Sequence, residues 1–260
     1  MSKINVNTWE PEGAGTAMTM GASGDTVTVP SGAALTIASG ATLTNSGTAT
    51  GFTAGLLGLV KYTGDGTYTV GGTSNGTAGD EGSASVTKII VEIQGGGGSG
   101  SRHDSADASN CAGGGGGYAK KLLDLTNIDT VTVTVGAGGA GQASNNNAGN
   151  DGGISSFVKA TGSGSFTSVI GNPGIGGNLT SNVGSAGGTA SGGDVNADGG
   201  AGGIHISGQR AGGSILGNPG PSIPSSALTD GQGYGAGGGS GRSATSGAGA
   251  PGICLIWEYA

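Results

Sequence analysis

Apolar residues along this chain come in short bursts set between tracts that have almost none. KIIVEI (88–93) passes through Gln94 into GGGGSG, VTVTV (131–135) runs into GAGGAG, and the chain closes on ICLIWEY (253–259). Apolar and polar positions alternate in VTVTV, the two-residue period of a half-buried strand. In the closing segment Ile253, Leu255, Trp257 and Tyr259 alternate with Cys254, Ile256 and Glu258. These bursts predict strands at 88–93, 118–125, 131–135 and 253–259. A strand at the end of a chain must pair or present a sticky edge, and its expected partner is 88–93. KYTGDGTYTV (61–70) reads as a hairpin turning on Gly64, Asp65 and Gly66, with LLGLV (56–60) as the junction leading into it.

The first 57 residues follow a different rhythm. SGDTVTVP, SGAALTIA, SGATLTNS and GTATGF repeat a Ser-Gly turn followed by alternating Thr and aliphatic positions, about eight residues to the unit. Units carrying only Val27, Val29, Leu35, Ile37 and Leu43 bury little by themselves, so they need to be wound into a β-helix or shared between chains. The expectation is all-β: a short-repeat stalk over 1–57 that serves attachment and intertwined oligomerisation, preferably as a homotrimer, and a glycine-rich domain over 58–260.

Glycine supplies 64 of 260 residues, 47 of them after position 94, while aromatics make up 4%. A core of large side chains therefore cannot order this region, and ordering glycine is costly in backbone entropy. One reading makes the glycine tracts flexible linker. The strands recurring between them argue against that. Collagen needs glycine at every third residue and abundant proline, whereas these glycines fall in pairs and runs beside 7 prolines. An alternative keeps the same extended backbone, as left-handed rods with three residues per turn bonded side to side through their backbones. Only a missing Cβ lets such rods approach from several sides.

Rods leaving a base of strands 88–93, 118–125 and 131–135 must turn and come back. That places the loops 101–112 and 142–151 together at the far end, with Arg102, His103, Asp104, Asn145, Asn146 and Asn147 as candidate contact residues. The later loops add His205 and Arg210, and the proline-stiffened 214–230 adds Ile215, Leu216, Ile223 and Leu228, followed by Tyr234. Those aliphatics either cap the rods or meet a receptor.

The order of blocks KYTGDGTYTV, VTKIIVEIQGGGGSG, GGGGGYAKKLLDL, VTVTVGAGGAG, GGISSF and GAPGICLIWEY resembles the glycine-rich domain at the C-terminal tip of bacteriophage tail fibres and adhesins. The resemblance covers about residues 58–260. It implies a small β base carrying a sandwich of polyglycine II-like rods, in a virion protein whose variable loops touch a host bacterial surface receptor, an outer-membrane protein or a surface glycan. It also implies docking onto another virion fibre or tail protein, because a long N-terminal shaft is missing.

Other chemistry is weakly represented. A net charge of −7 with 9 basic residues disfavours nucleic acid, and no apolar run approaches 18 residues, so no membrane insertion is expected. The N-terminus lacks the apolar core of a secretory signal. Gly95, Gly97 and Gly100 form a lone GxGxxG, but five glycines and a polar loop follow where a dinucleotide fold needs a helix. Asp194 and Asp198 are the pair that a calcium ion would use, without the nonapeptide period of such sites. His103 and His205 lack metal-ligand spacing. The carboxylate pairs Asp104/Asp107 and Asp194/Asp198 have no aromatic subsite residues around them, so sugar cleavage is not expected. Cys111, in a loop, and Cys254 are expected to be reduced. The reading assigns no cofactor and no enzymatic activity. It leaves a receptor-binding tip, a purely structural fibre cap and, from the N-terminal threonines, an ice-binding surface as the competing functions.

Overall fold

The computed structural model describes residues 55–72, 86–104, 110–179, 184–204, 210–220, 230–241 and 245–260. The repeats and the proposed stalk, His205, Ile223 and Leu228 lie outside the described residues. The described strands all belong to one unit, Thr53–Ala260. They are β1 (Leu56–Tyr62), β2 (Gly66–Thr69), β3 (Lys88–Gln94), β4 (Tyr118–Asp124), β5 (Thr130–Thr134) and β6 (Ser155–Thr161). The short ones follow: β7 (Val169–Gly171), β8 (Ala190–Ser191), β9 (Val195–Ala197), β10 (Gly217–Asn218) and β11 (Gln232–Gly233), and the chain ends on β12 (Ile253–Tyr259). No helix occurs among the described residues.

Two five-stranded sheets form the base, in the orders β1-β12-β3-β4-β9 and β2-β5-β6-β7-β8, with every pairing antiparallel. Their facing sides share a core of Val60, Ile89, Val91, Ile93 and Ile256 from the first sheet with Tyr68, Val131, Val133, Phe157 and Val169 from the second. The Phe157 ring lies 6.2 Å from Tyr68 and 5.7 Å from Phe166, so aromatics fill the seam.

The closing strand does pair with 88–93, and this pairing decides which of its two mixed faces goes inside. Residues directly opposite in an antiparallel ladder share a face. Ile93 stands opposite Cys254, Val91 opposite Ile256 and Ile89 opposite Glu258. The aliphatic face of β3 thus carries Glu258 into the core and turns Trp257 outward.

Two expectations need correction. KYTGDGTYTV is not a hairpin: β1 pairs with β12 and β2 with β5, so the glycine turn is a corner between the two sheets. Asp65 fastens that corner by accepting a hydrogen bond from Val135 N–H at 2.9 Å. LLGLV is not a junction but most of strand β1. Segments 88–93, 118–125 and 131–135 do share one base, divided over its two sheets, since β5 lies in the second.

Beyond the base the glycine tracts run as extended segments. Backbone donors from Gly95 to His103 address Gly117, Gly153, Ala250, Gly114, Asn150, Gly247, Cys111, Asn147 and Gly241 in turn, at 2.9–3.2 Å. The first, fourth and seventh go to one neighbour, the second, fifth and eighth to another, and the rest to the side beyond. A direction that returns every third residue is the three-residue turn of a polyglycine II rod. Segment 95–103 also accepts bonds from Gly139, Gly174 and Gly238, so neighbours surround it on all sides.

Ten such rods can be traced among the described residues: 95–103, 111–117, 136–142, 147–153, 172–178, 184–189, 199–203, 210–213, 235–241 and 245–252. The first two are central. The other eight close a ring around them, joined in succession by the bonds Gly153 N to Ala137 O, Gly149 N to Gly177 O, Ile175 N to Ala186 O and Gly202 N to Ser185 O. The ring continues through Gly203 N to Arg210 O, Gly237 N to Gly212 O, Gly247 N to Gly239 O and Gly249 N to Gly139 O. Glycine is obligatory at the centre, because a Cβ on Gly97 would overlap the carbonyl of Ala236 and one on Gly113 that of Gly98. Two serine side chains enter the centre and bond there: Ser99 Oγ accepts from Asn150 N–H at 2.7 Å, and Ser101 Oγ donates to Cys111 O at 3.0 Å. Cys111 is therefore a buried rod residue rather than a loop residue. It and Cys254 are both free thiols.

Candidate functional site

Chain direction locates the ends of the rods. Rods 95–103, 136–142, 172–178, 199–203 and 235–241 follow β3, β5, β7, β9 and β11 outward. Rods 111–117, 147–153, 184–189, 210–213 and 245–252 return into β4, β6, β8, β10 and β12. Five pairs of rod ends are thereby gathered at the end away from the base: 103 with 111, 142 with 147, 178 with 184, 203 with 210 and 241 with 245. The first pair belongs to the two enclosed rods, so Asp104 and Asn110 stand in the middle of that distal face. The other four pairs belong to rods of the ring.

The described part of this face is a polar, tightly cross-bonded cluster. Arg102 and Asn147 exchange backbone bonds in both directions, at 2.9 and 3.1 Å. The Arg102 guanidinium donates to Ala143 O and lies 3.4 Å from the Asp104 carboxylate. Asn145 Oδ1 accepts from Asp104 N–H at 2.8 Å and from Asn146 N–H at 2.9 Å. This pair of bonds suits the left-handed backbone of Asn146, at φ 60°, a conformation that asparagine tolerates better than most residues. Asn110 Nδ2 ties His103 O and Gly241 O together, at 3.0 and 3.2 Å. Ser246 Oγ accepts from Gln142 N–H at 2.8 Å.

The consequence is a surface whose backbone is held while its side-chain tips remain open. Asp104, Asn145, Asn146 and Asn147 are exposed, and Arg102 and His103 are half-buried. The predicted meeting of loops 101–112 and 142–151 is thus present, though each loop is shorter than expected because rod structure extends to His103 and resumes at Cys111. Arg210 is exposed at the distal start of its rod, where its carbonyl accepts from Gly203 N–H.

The remaining candidates are not brought to this place. Ile215, Leu216 and Tyr234 follow an inward rod and precede an outward one, so they lie at the base end. There β10 pairs with β11, Tyr234 N–H donates to Leu216 O at 3.1 Å, and Gly235 abuts Gln94. A cavity of about 330 Å³ sits among Ser214, Ile215, Leu216, Asn218 and Gln232. The sequence left open which end the loop 214–230 occupies. The directions of rods 210–213 and 235–241 put its described residues, 214–220 and 230, at the base end.

Sequence reasoning missed Asn110, Gln142 and Ser246, which lock the distal turns. The available signal was a polar residue at the very margin of a glycine run. Asp194 spends its carboxylate on Leu122 N–H at 2.9 Å. No group of three or more metal-binding side chains occurs among the described residues, and no helix long and apolar enough to cross a membrane occurs among them.

Residues 81–259 match the family model described as a glycine-rich domain. That match covers most of the chain, from just before β3 to the last residue of β12, and the chain belongs to this family. No curated protein matches it.

Proposed function

We propose that this protein is a non-enzymatic bacteriophage adhesin of the tail-fibre tip, which binds a host surface receptor through its distal turns. The supporting observation is the gathering of five pairs of rod ends at one end, around exposed Asp104, Asn145, Asn146 and Asn147 beside Arg102. A ring of backbone-bonded rods is a stiff support, and stiffness lowers the ordering cost of binding. Turns on such a support can change sequence without disturbing the glycine contacts beneath them. In this reading residues 1–57 attach the protein, as a homotrimer, to other virion fibre or tail proteins. Several copies per particle then multiply weak contacts into avidity. The receptor is an outer-membrane protein or a surface glycan of the host bacterium.

Competition with phage adsorption tests the proposal. Purified full-length protein should block adsorption to host cells. Arg102→Ala/Asp104→Ala and a Gly-Ser replacement of 143–146 should fold but fail to block it. Folded wild-type protein that neither binds cells nor competes would replace the adhesin by a structural cap of the fibre.

A further inference from the structure

The outer face of the β1-β12-β3-β4-β9 sheet, on the side away from the core, carries an apolar row that crosses four strands. Leu59 stands opposite Trp257, Trp257 opposite Ile90, and Ile90 opposite Leu122. Leu59 is 39% exposed, Leu122 58% and, on the neighbouring strand, Val195 55%. A solvated sheet face should alternate away from such residues, and a contiguous exposed apolar strip commonly marks an interaction site. Beside the row, Ile90, Leu122 and Val195 line a cavity of about 160 Å³ with Lys120, Lys121 and Asp194 at its edge. Within the row the indole Nε1 of Trp257 is buried without an acceptor, which is costly for a polar hydrogen.

Charge narrows the occupant. The rows on either side carry Lys61 and Lys120 on one flank and Lys88 on the other. Against these three lysines stand Glu92, already held by Lys120 at 3.1 Å and by Tyr118 Oη at 2.9 Å, and Asp124. The face is therefore net positive on a chain of net charge −7. A second copy presenting the same face would set like charge against like. Four strands of seven residues with three-residue β9 beside them span at most roughly 24 by 23 Å, an area on the order of 500 Å² that suits a peptide segment rather than a whole domain.

We propose that this face docks a segment of a partner protein that places one large apolar side chain in the Ile90/Leu122/Val195 cavity and carboxylates against Lys61 and Lys88. This site lies on the base and is independent of the distal turns.

The test uses full-length protein with Trp9→Phe, so that Trp257 is the only tryptophan. The probe is the synthetic peptide acetyl-GDELFEDG-amide, with a Ser-Ser version lacking the apolar pair and a version with lysines for the acids. The acidic apolar peptide should shift Trp257 emission to the blue saturably and protect it from acrylamide. Leu122→Ser should weaken that binding at least tenfold, whereas Arg102→Ala should leave it unchanged. Lys61→Glu/Lys88→Glu should reverse the preference towards the lysine peptide, a gain that misfolding cannot mimic. Equal response to acidic and basic peptides, no saturable response to any, or a Trp257 already shielded from acrylamide in the free protein would each overturn the proposal. So would self-association, seen in sedimentation, that Leu122→Ser abolishes, because the face would then belong to a second copy.

Discussion

Tyr68 Oη donates a 2.7 Å hydrogen bond to the carboxylate of Glu258, across the seam between the two sheets and 190 residues along the chain. Glu258 is fully buried, brought inside by the register of β12 on β3. Tyr68→Phe removes a donor from a carboxylate that cannot reach water. It should cost about 1–3 kcal/mol, read as a lower denaturation midpoint with an unchanged denaturant slope.

The same bond makes stability depend on alkaline pH. Burial first, and then Glu258, hold the Tyr68 phenol far above its ordinary range. A folded-state value raised above the unfolded one, about 10 for tyrosine, contributes stability that is complete below pH about 10 and declines above it. Tyr118 is held up in the same direction by burial and Glu92. Urea titrations from pH 7 to 11 should show a plateau followed by a fall, and Tyr68→Phe should make that fall shallower without removing it.

Glycine in this protein has two unequal roles, and alanine separates them. Gly97→Ala drives a methyl group into the Ala236 carbonyl inside the ring, where neither backbone can retreat. A loss of about 3 kcal/mol or more is expected, at or above the upper end for overpacking. Gly64 lies in the corner between the sheets with nothing within 4 Å of its would-be Cβ. Gly64→Ala should stay within about 1 kcal/mol of wild type, and a gain is explicable through the unfolded chain. Paired thermal or urea melts decide both.

How much of this was legible beforehand differs by element. The meeting of Arg102 with Asn147 followed from direction alone, since a rod that leaves must return. The hairpin failed because Gly64, Asp65 and Gly66 make an equally good turn whether or not the flanking strands pair, and pairing is decided by β12 and β5. The end at which the loop holding Ile215 and Leu216 lies was left open by the sequence, because the rod before it, 210–213, is only four residues and does not read as one. The inward face of β12 was open between two mixed sets until the register with Ile89, Val91 and Ile93 closed it. Ring closure itself is a property of contacts between tracts of nearly identical sequence, so no single tract announces its neighbours.

Thiol chemistry reports on the same packing. Cys254 is in the core and Cys111 in an enclosed rod, both fully buried, and burial pushes both thiols up from their ordinary range. A protonated, inaccessible thiol is a poor nucleophile. Ellman's reagent should titrate neither in native protein and both in denaturant. Fast reaction of Cys111 alone would mean that the central rods open at their distal end.

Arg102 joins two distal turns by bonding Ala143 O beside the Asp104 carboxylate. Arg102→Ala should loosen 143–147 without lowering the global midpoint, and it should weaken receptor binding roughly tenfold, about 1.4 kcal/mol. Ile215→Ser, at the base end, should leave binding unchanged. Cell-binding isotherms of the two variants, with amide exchange of Asn145 to Asn147, check this.

Amide hydrogen exchange across the central rods tests the ring of backbone-bonded glycines most directly. Each N–H from Gly95 to His103 is bonded to a neighbouring segment, and the two central rods are enclosed by eight companions. Peptides covering 95–101 and 111–117 should therefore exchange as slowly as β3 and β12, opening only with the whole domain. Exchange within seconds, at the rate of free glycine-rich chain, while β3 and β12 stay protected, would contradict the account and return these tracts to flexible linker.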